Sequence, residues 1–251
     1  MDGGFFWAMA VMSAVLVGMG KGGIPLVGML GVPVLALAIS PVAAAGLLLP
    51  VYVLSDAFAL YAYREAFDRR VLAIIIPGMT LGVGFGWATA HVVPEPLVTA
   101  LVGMIGLVFA ANLILRPKVV AGSQEPRVAK GVFWGAVTGF TSFVSHSGAP
   151  PYQVYTLPLG MTKMVFAGTS TIAFAYVNLI KLVPYYALGQ LSPGNLKVAV
   201  ALMPAAALAV FAGARLVKHL PEALFFRVVT WALAVISIKL IWDGWTGWQA
   251  L

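Results

Sequence analysis

Two five-residue stretches hold the residue types from which this chain could build chemistry. They are Lys21-Gly22-Gly23-Ile24-Pro25 and, 125 positions later, His146-Ser147-Gly148-Ala149-Pro150. Each sets an ionisable side chain, glycine and proline inside apolar sequence. A membrane helix broken there leaves backbone N–H and C=O groups unpaired. Hydrocarbon offers them no partner, so each break must face protein or a wet cavity. A helix restarted at proline presents free N–H groups and partial positive charge, both suited to an anion. Glycine lets that backbone approach a ligand closely. Gly22, Gly23 and Ile24 before Pro25, and Ser147, Gly148 and Ala149 before Pro150, are therefore expected to form two opposed anion-facing nests. Lys21 and His146 stand at equivalent positions and add charge or donors. The plainer alternative is a lysine snorkelling to the interface and a histidine satisfied within the core.

A second group lies on one helical face. Thr171, Phe174, Asn178, Lys181 and Tyr185 recur at spacings of three and four. The earlier segment carries Tyr52, Asp56 and Tyr63 on the corresponding stripe. A charge at membrane depth costs about 3 kcal/mol on insertion scales, so it normally faces a cavity or a partner. Three readings stay open: Lys181 as an anion ligand, an Asp56–Lys181 ion pair, or a protonatable Asp56 that couples transport to protons. Thr141, Ser142 and Ser145 either line the same cavity or bond back to helix carbonyls. Gln153, Tyr155 and Asn112 are further polar residues in apolar segments.

These residues need a membrane scaffold, and the composition supplies one. Of 251 residues 61% are apolar and 9% charged, with a mean hydropathy of +0.98. A soluble domain is about half apolar and about a quarter charged. Apolar stretches recur from end to end, without the short alternating segments of a barrel, so the fold class is all-α and polytopic. The formal charge of +7 reads as orientation by cytoplasmic Lys and Arg rather than as nucleic-acid binding. Zero cysteines exclude disulfides, thiol chemistry and Cys-ligated metals, and three scattered His make a metal site unexpected. No cofactor is implied. The first segment lacks a basic n-region and is not expected to be a cleaved signal peptide.

Apolar segments run over 4–20, 24–39, 42–63, 71–93 and 96–115, then over 131–145, 149–159, 164–188, 196–217 and 223–242. The more polar stretch 116–130 separates them and reads as a cytoplasmic linker between a first membrane repeat, 1–115, and a second, 131–251. The pieces flanking the breaks have the look of half-membrane helices. Pro25 and Pro33 match Pro150 and Pro158 at an offset of 125, and Ala45, Gly46, Asp56 and Tyr63 match Ala167, Gly168, Asn178 and Tyr185 at 122. Pro77, Gly86 and Pro94 match Pro204, Gly213 and Pro221 at 127, which argues for duplication.

If each broken segment dips in and returns, eleven Lys and Arg fall on the cytoplasmic side, with only Lys197 and Lys239 outside. If each crosses fully, the count is nine against four. The first arrangement puts both termini outside and inverts the two repeats, each a re-entrant hairpin followed by three transmembrane helices. Inverted repeats with broken helices meeting near mid-membrane are a recurring plan of secondary transporters. Trp7, Trp134, Trp242, Trp245 and Trp248 lie near segment ends and read as interfacial anchors.

The run from Gly18 to Pro25, its return from Thr141 to Pro150, Ala167-Gly168-Thr169-Ser170 opening a helix and Ala212-Gly213-Ala214-Arg215 closing one resemble the sulfite exporter TauE/SafE family. The resemblance spans essentially the whole chain and implies a permease for small sulfur-containing or other organic anions. Many members carry three glycines where this chain reads Lys21-Gly22-Gly23 and His146-Ser147-Gly148.

Taken together, the expectation is a multi-pass protein of the cell inner membrane that moves a small anion, sulfite or an organosulfonate or organic acid. Alternating access would come from one half rocking against the other, coupled to protons or sodium, and a homo-oligomer stays open. The substrate-binding set is Lys21, Gly22, Gly23, Tyr52, Ser145, His146, Ser147, Gly148, Thr171, Asn178 and Lys181, with Asp56 for coupling or ion pairing. An anion channel of the same architecture is the alternative. A membrane-embedded hydrolase fits less well, because no acid lies near His146 in sequence to complete a catalytic pair. No Gly-x-x-x-x-Gly-Lys-Ser/Thr loop is present to use ATP.

Overall fold

Long runs of Ala, Leu, Val and Ile with few polar interruptions satisfy their backbone internally, and helices result. The computed structural model describes residues 3–22, 25–63, 65–115, 124–216 and 222–249. The first half forms α1 (Gly4–Lys21), α2 (Pro25–Gly28), α3 (Gly31–Leu35), α4 (Pro41–Tyr63), α5 (Arg69–Thr89) and α6 (Glu95–Leu115). The second forms α7 (Val128–Ser145), α8 (Ala149–Thr156) with a 3₁₀ turn at Leu157–Leu159, α9 (Lys163–Ala187), α10 (Pro193–Leu216) and α11 (Glu222–Gln249). No strand occurs among the described residues. Within them α1, α4, α5, α9 and α10 are long and apolar enough to cross a membrane, and α6 adds a shorter apolar stretch. Large apolar side chains such as Phe85, Phe133, Leu208 and Phe211 point outward, as a lipid-facing surface requires. The protein is a polytopic all-α membrane protein.

Both breaks turn the chain back on itself. A Cβ on Gly20 would lie 2.5 Å from the Cα of Gly28, and one on Gly31 would meet Val17 at 2.8 Å, so α2 and α3 retrace α1. Only glycine permits that approach. In the second half Gly148 packs on Thr138 and Ser142, and Gly131 on the Tyr155 ring, so α8 retraces α7. His146 makes this turn in the left-handed conformation, φ 55°, where glycine or asparagine is the usual occupant.

The limbs before the breaks differ from the half-length pieces expected. At 18 residues each, α1 and α7 are about 27 Å long, nearly a full hydrocarbon thickness. Only the return limbs are short. The first of these is not one segment over 24–39 but two short helices, because the chain tightens where the Leu30 N–H bonds the Val27 carbonyl at 3.0 Å. At the far end α11 continues past Trp242 to Gln249. Of the linker, 116–123 lies outside the described residues. The Gln124 N–H donates to the Pro158 carbonyl at 3.1 Å, pinning the linker's end to the second return limb.

Helices in lipid associate through small residues that let backbones approach, and the closest helix pairs are built this way. Gly78 and Gly82 of α5 meet the backbone of Val132 and Ala136 of α7, while Gly139 of α7 meets that of Met79. Gly18 of α1 meets Ala206 of α10, and Gly103 of α6 meets Ser237 of α11. Each of these pairs joins one half of the chain to the other. Each half is therefore clasped by the other.

The register of α4 against α9 fixes their sense. Gly46 lies against Gln190, Asp56 bonds Asn178, and Ala66, just past α4, lies against Gly168. Moving forward along one helix moves backward along the other, so they are antiparallel. Asp56 is seven residues from the end of α4, and Asn178 is nine from the end of α9. Those ends point in opposite directions, about 10 and 14 Å away, so the Asp56–Asn178 contact lies well inside the helix pair rather than at either end.

Candidate functional site

The polar residues singled out from the sequence converge at this contact. Lys21 ends α1 and reaches Asp56 on α4, forming an ion pair through Oδ1. The other carboxylate oxygen, Oδ2, accepts from the Asn178 side-chain N–H at 2.6 Å. An ionised carboxylate only accepts, which sets the amide orientation of Asn178. The expected Asp56–Lys181 pair is not formed. The competing cation from the hairpin tip reaches the carboxylate instead, and α9 supplies Asn178 one turn earlier. Nor does Lys21 snorkel to an interface: its side chain is 15% exposed, against 4% for Asp56.

Lys181 is fully buried and turns to α7. Its ammonium donates to the Ser142 carbonyl at 3.0 Å, to Ser142 Oγ at 3.1 Å and to His146 Nδ1 at 2.6 Å. Three acceptors match the three N–H bonds of an ammonium. The His146 ring is bound at both nitrogens, since Nε2 lies 3.0 Å from the Ala45 carbonyl and donates to it. That donation fixes Nδ1 as the acceptor for Lys181. Tyr52 stacks on the imidazole with ring centroids 4.4 Å apart, and its hydroxyl donates to the Gly28 carbonyl at 2.7 Å. Tyr185 donates to the Phe143 carbonyl at 2.5 Å. Through these bonds α4 and α9 hold both hairpins.

Lys21 differs from Lys181 in what surrounds it. Beyond Asp56 it faces two aromatic rings, Tyr52 at 5.5 Å and Phe174 at 5.9 Å from the centroids. These rings occupy equivalent places on α4 and α9, 122 positions apart. Lys181 has its donors filled by hydrogen bonds, whereas among the described residues the Lys21 ammonium pairs with Asp56 and its side chain is partly exposed.

The backbone nests are less developed than the sequence led one to expect. The Gly22 N–H donates back to Gly18 at 2.9 Å and the Ser147 N–H back to Thr141 at 3.3 Å, each finishing the preceding helix. Gly23 and Ile24 lie outside the described residues. The single turn of α2 has too few aligned peptides for an end charge. Gly148 serves close packing, because a Cβ there would stand 3.0 Å from the Phe174 ring. Thr141 and Ser145 bond back to helix carbonyls, and Ser147 Oγ bonds the Ser145 carbonyl. Thr171 is half-buried and joins no hydrogen bond of the network. Asn112 is exposed on α6, while Tyr155 is buried under Gly131. Trp7, Trp242, Trp245 and Trp248 are exposed, as anchors should be, whereas Trp134 packs against the core.

Sequence reasoning missed the carbonyls of Gly28, Ala45 and Phe143, which orient Tyr52, His146 and Tyr185. Backbone acceptors have no residue signature, so only the doubling back of the chain could reveal them. A cavity of about 270 Å³ opens elsewhere, between the start of α4 and the end of α11, lined by Ser40, Pro96, Thr99 and Asp243 among others. It is about 22 Å from Asp56 along α4, at one end of the helix bundle.

A family model described as "Sulfite exporter TauE/SafE" matches residues 5–240 of the chain. No curated protein and no solved structure matches it.

Proposed function

The chain belongs to the sulfite exporter TauE/SafE family, and from that premise we propose that it is a secondary transporter for a small oxyanion such as sulfite, an organosulfonate or an organic acid. The observation that carries the reading is the donor pair of Lys21 and Asn178, already holding the two oxygens of one carboxylate. An ammonium and an amide N–H so placed suit a sulfite, sulfonate or carboxylate equally well. The aromatic walls of Tyr52 and Phe174 confine the ligand laterally. Lys181 locks His146 at the second hairpin tip.

Alternating access follows from the pairing of helices rather than from the two halves of the sequence. The bundle in which α4 and α9 hold both hairpin tips is one unit, and the α6–α11 pair, which touches it less extensively, is the other. We place the protein in the inner membrane with both termini outside, as the Lys and Arg distribution supports.

The test is flux of labelled sulfite and methanesulfonate into proteoliposomes, against protein-free vesicles. Wild type is expected to show saturable uptake, and Lys21→Gln, which keeps a donor but removes the charge, to lose at least about tenfold. Losing one charge-assisted hydrogen bond, worth about 1.5–3 kcal/mol, corresponds to that factor. Unchanged uptake in Lys21→Gln would remove Lys21 from the site, and no uptake of any small oxyanion by wild type would remove the substrate class.

A further inference from the structure

We infer that Asp56 is the proton carrier of the transport cycle: its carboxylate occupies the Lys21–Asn178 donor pair in place of substrate, and it takes up one proton each time a monoanion displaces it. This rests on the reading above that an oxyanion is carried.

Both oxygens of Asp56 are engaged, Oδ1 by Lys21 and Oδ2 by Asn178. An anion can therefore reach Lys21 only by competing with a carboxylate tethered to α4. A displaced carboxylate left ionised there, without its ammonium, carries a large desolvation penalty. A proton removes that penalty. Before binding, Lys21 is positive and Asp56 negative. Afterwards Lys21 is positive, the monoanion negative and Asp56 neutral. The site charge is the same in both states, so anion and proton move together without net charge. The proton sits on the oxygen that Lys21 vacates, and the hydroxyl so formed can donate to the bound anion.

The surroundings favour a proton over sodium. An alkali cation needs a shell of oxygens. Asp56 is instead met by N–H donors, and the charged or titratable groups gathered about it are Lys21 from α1, His146 at the end of α7, Lys181 and Tyr185 from α9, and Tyr52 on its own helix. Of the other helices packed on α4, α10 carries Lys197 and Arg215 near its two ends, α6 carries Glu95 at its start, and α3 carries no charge. Among the described residues no second carboxylate completes a cation site, and no cluster of three metal-ligating side chains occurs.

The experiment uses the full chain in proteoliposomes loaded with a pH-sensitive dye. Methanesulfonate is the first probe because it has no titratable proton in the working range, with sulfite as the second. Exchange of labelled for unlabelled anion is measured beside net accumulation. For wild type, inward methanesulfonate should acidify the lumen, and one unit of pH gradient, acid outside, should sustain about tenfold accumulation, indifferent to a valinomycin potential. For Asp56→Asn the accumulation ratio should fall to about one at whatever exchange rate remains.

Net inward methanesulfonate movement by wild type without lumenal acidification, accumulation driven by potential, or tenfold accumulation by Asp56→Asn would each overturn the proposal. Absence of exchange for both anions would instead overturn the substrate reading, and the proposal with it. Should Asp56→Asn fail to reconstitute, the wild-type acidification and valinomycin measurements decide alone.

Discussion

At the scale of single residues, the Lys21–Asp56 pair has an energetic signature separate from transport. Breaking a buried ion pair by removing one partner costs about 3–5 kcal/mol, because the other charge stays behind, whereas removing both costs less. Lys21→Ala should therefore melt well below wild type in detergent, and Lys21→Ala with Asp56→Ala should recover part of the loss without recovering flux. Intrinsic tryptophan fluorescence reads the melting. A double variant less stable than Lys21→Ala would show that the carboxylate is held by something other than Lys21. That Asp56 and Lys181 were special was legible from charge at membrane depth. Which cation meets Asp56 was not, because helical periodicity gives the face of a residue and says nothing of which hairpin tip arrives opposite it. His146 is a sharper case, since both its ring nitrogens are spent on a carbonyl and an ammonium that no spacing rule announces.

At the scale of elements, the helices follow from the apolar runs and their punctuation. Asp68 caps α5 by accepting from the Val71 N–H at 2.9 Å, and Thr162 caps α9 in the same way. Pro77 and Pro204, matched in the repeat, both lie inside helices, α5 and α10. The return limb after Gly23 was harder to read, because an apolar run with Pro33 is compatible with one helix or two. Its path depends on the contact of Gly20 with Gly28, which is tertiary. The glycine stripes give a paired prediction on one helix. Gly82→Ala would place a Cβ 2.0 Å from the Ala136 carbonyl and force α5 from α7, for a loss of about 1–3 kcal/mol. Gly84→Ala meets nothing within 4 Å and should be neutral or gain up to about 1 kcal/mol from helix propensity. Equal melting of the two variants would mean that the α5–α7 approach is looser than the backbone contacts describe.

At the scale of the whole molecule, the question is how the two halves sit in the membrane. The matched prolines and glycines suggested duplication, and the charge count favoured hairpins that return to the side they came from. What no count could supply is the register of α4 on α9. That register brings Asp56 and Asn178, equivalent residues of the two halves, into contact with each other. Equivalent residues touch on antiparallel equivalent helices when an axis in the membrane plane relates the halves, and this is the inverted arrangement proposed here. It has a direct topological consequence. His91, after α5, and Gly194, at the start of α10, are both exposed, and a Cβ at Gly194 approaches only Ser192 Oγ, at 3.8 Å. Between them lie α6, the second hairpin and α9. A hairpin that returns contributes no crossing, so the two positions share a side, while a broken segment that crosses would put them on opposite sides. The absence of native cysteine makes the measurement clean. His91→Cys and Gly194→Cys should both react with an impermeant maleimide on intact cells, and Glu125→Cys only after lysis. Labelling of one of the first two without the other would mean that the second hairpin crosses. The halves would then be parallel, and the antiparallel register of α4 on α9 that brings Asp56 to Asn178 would have to be given up.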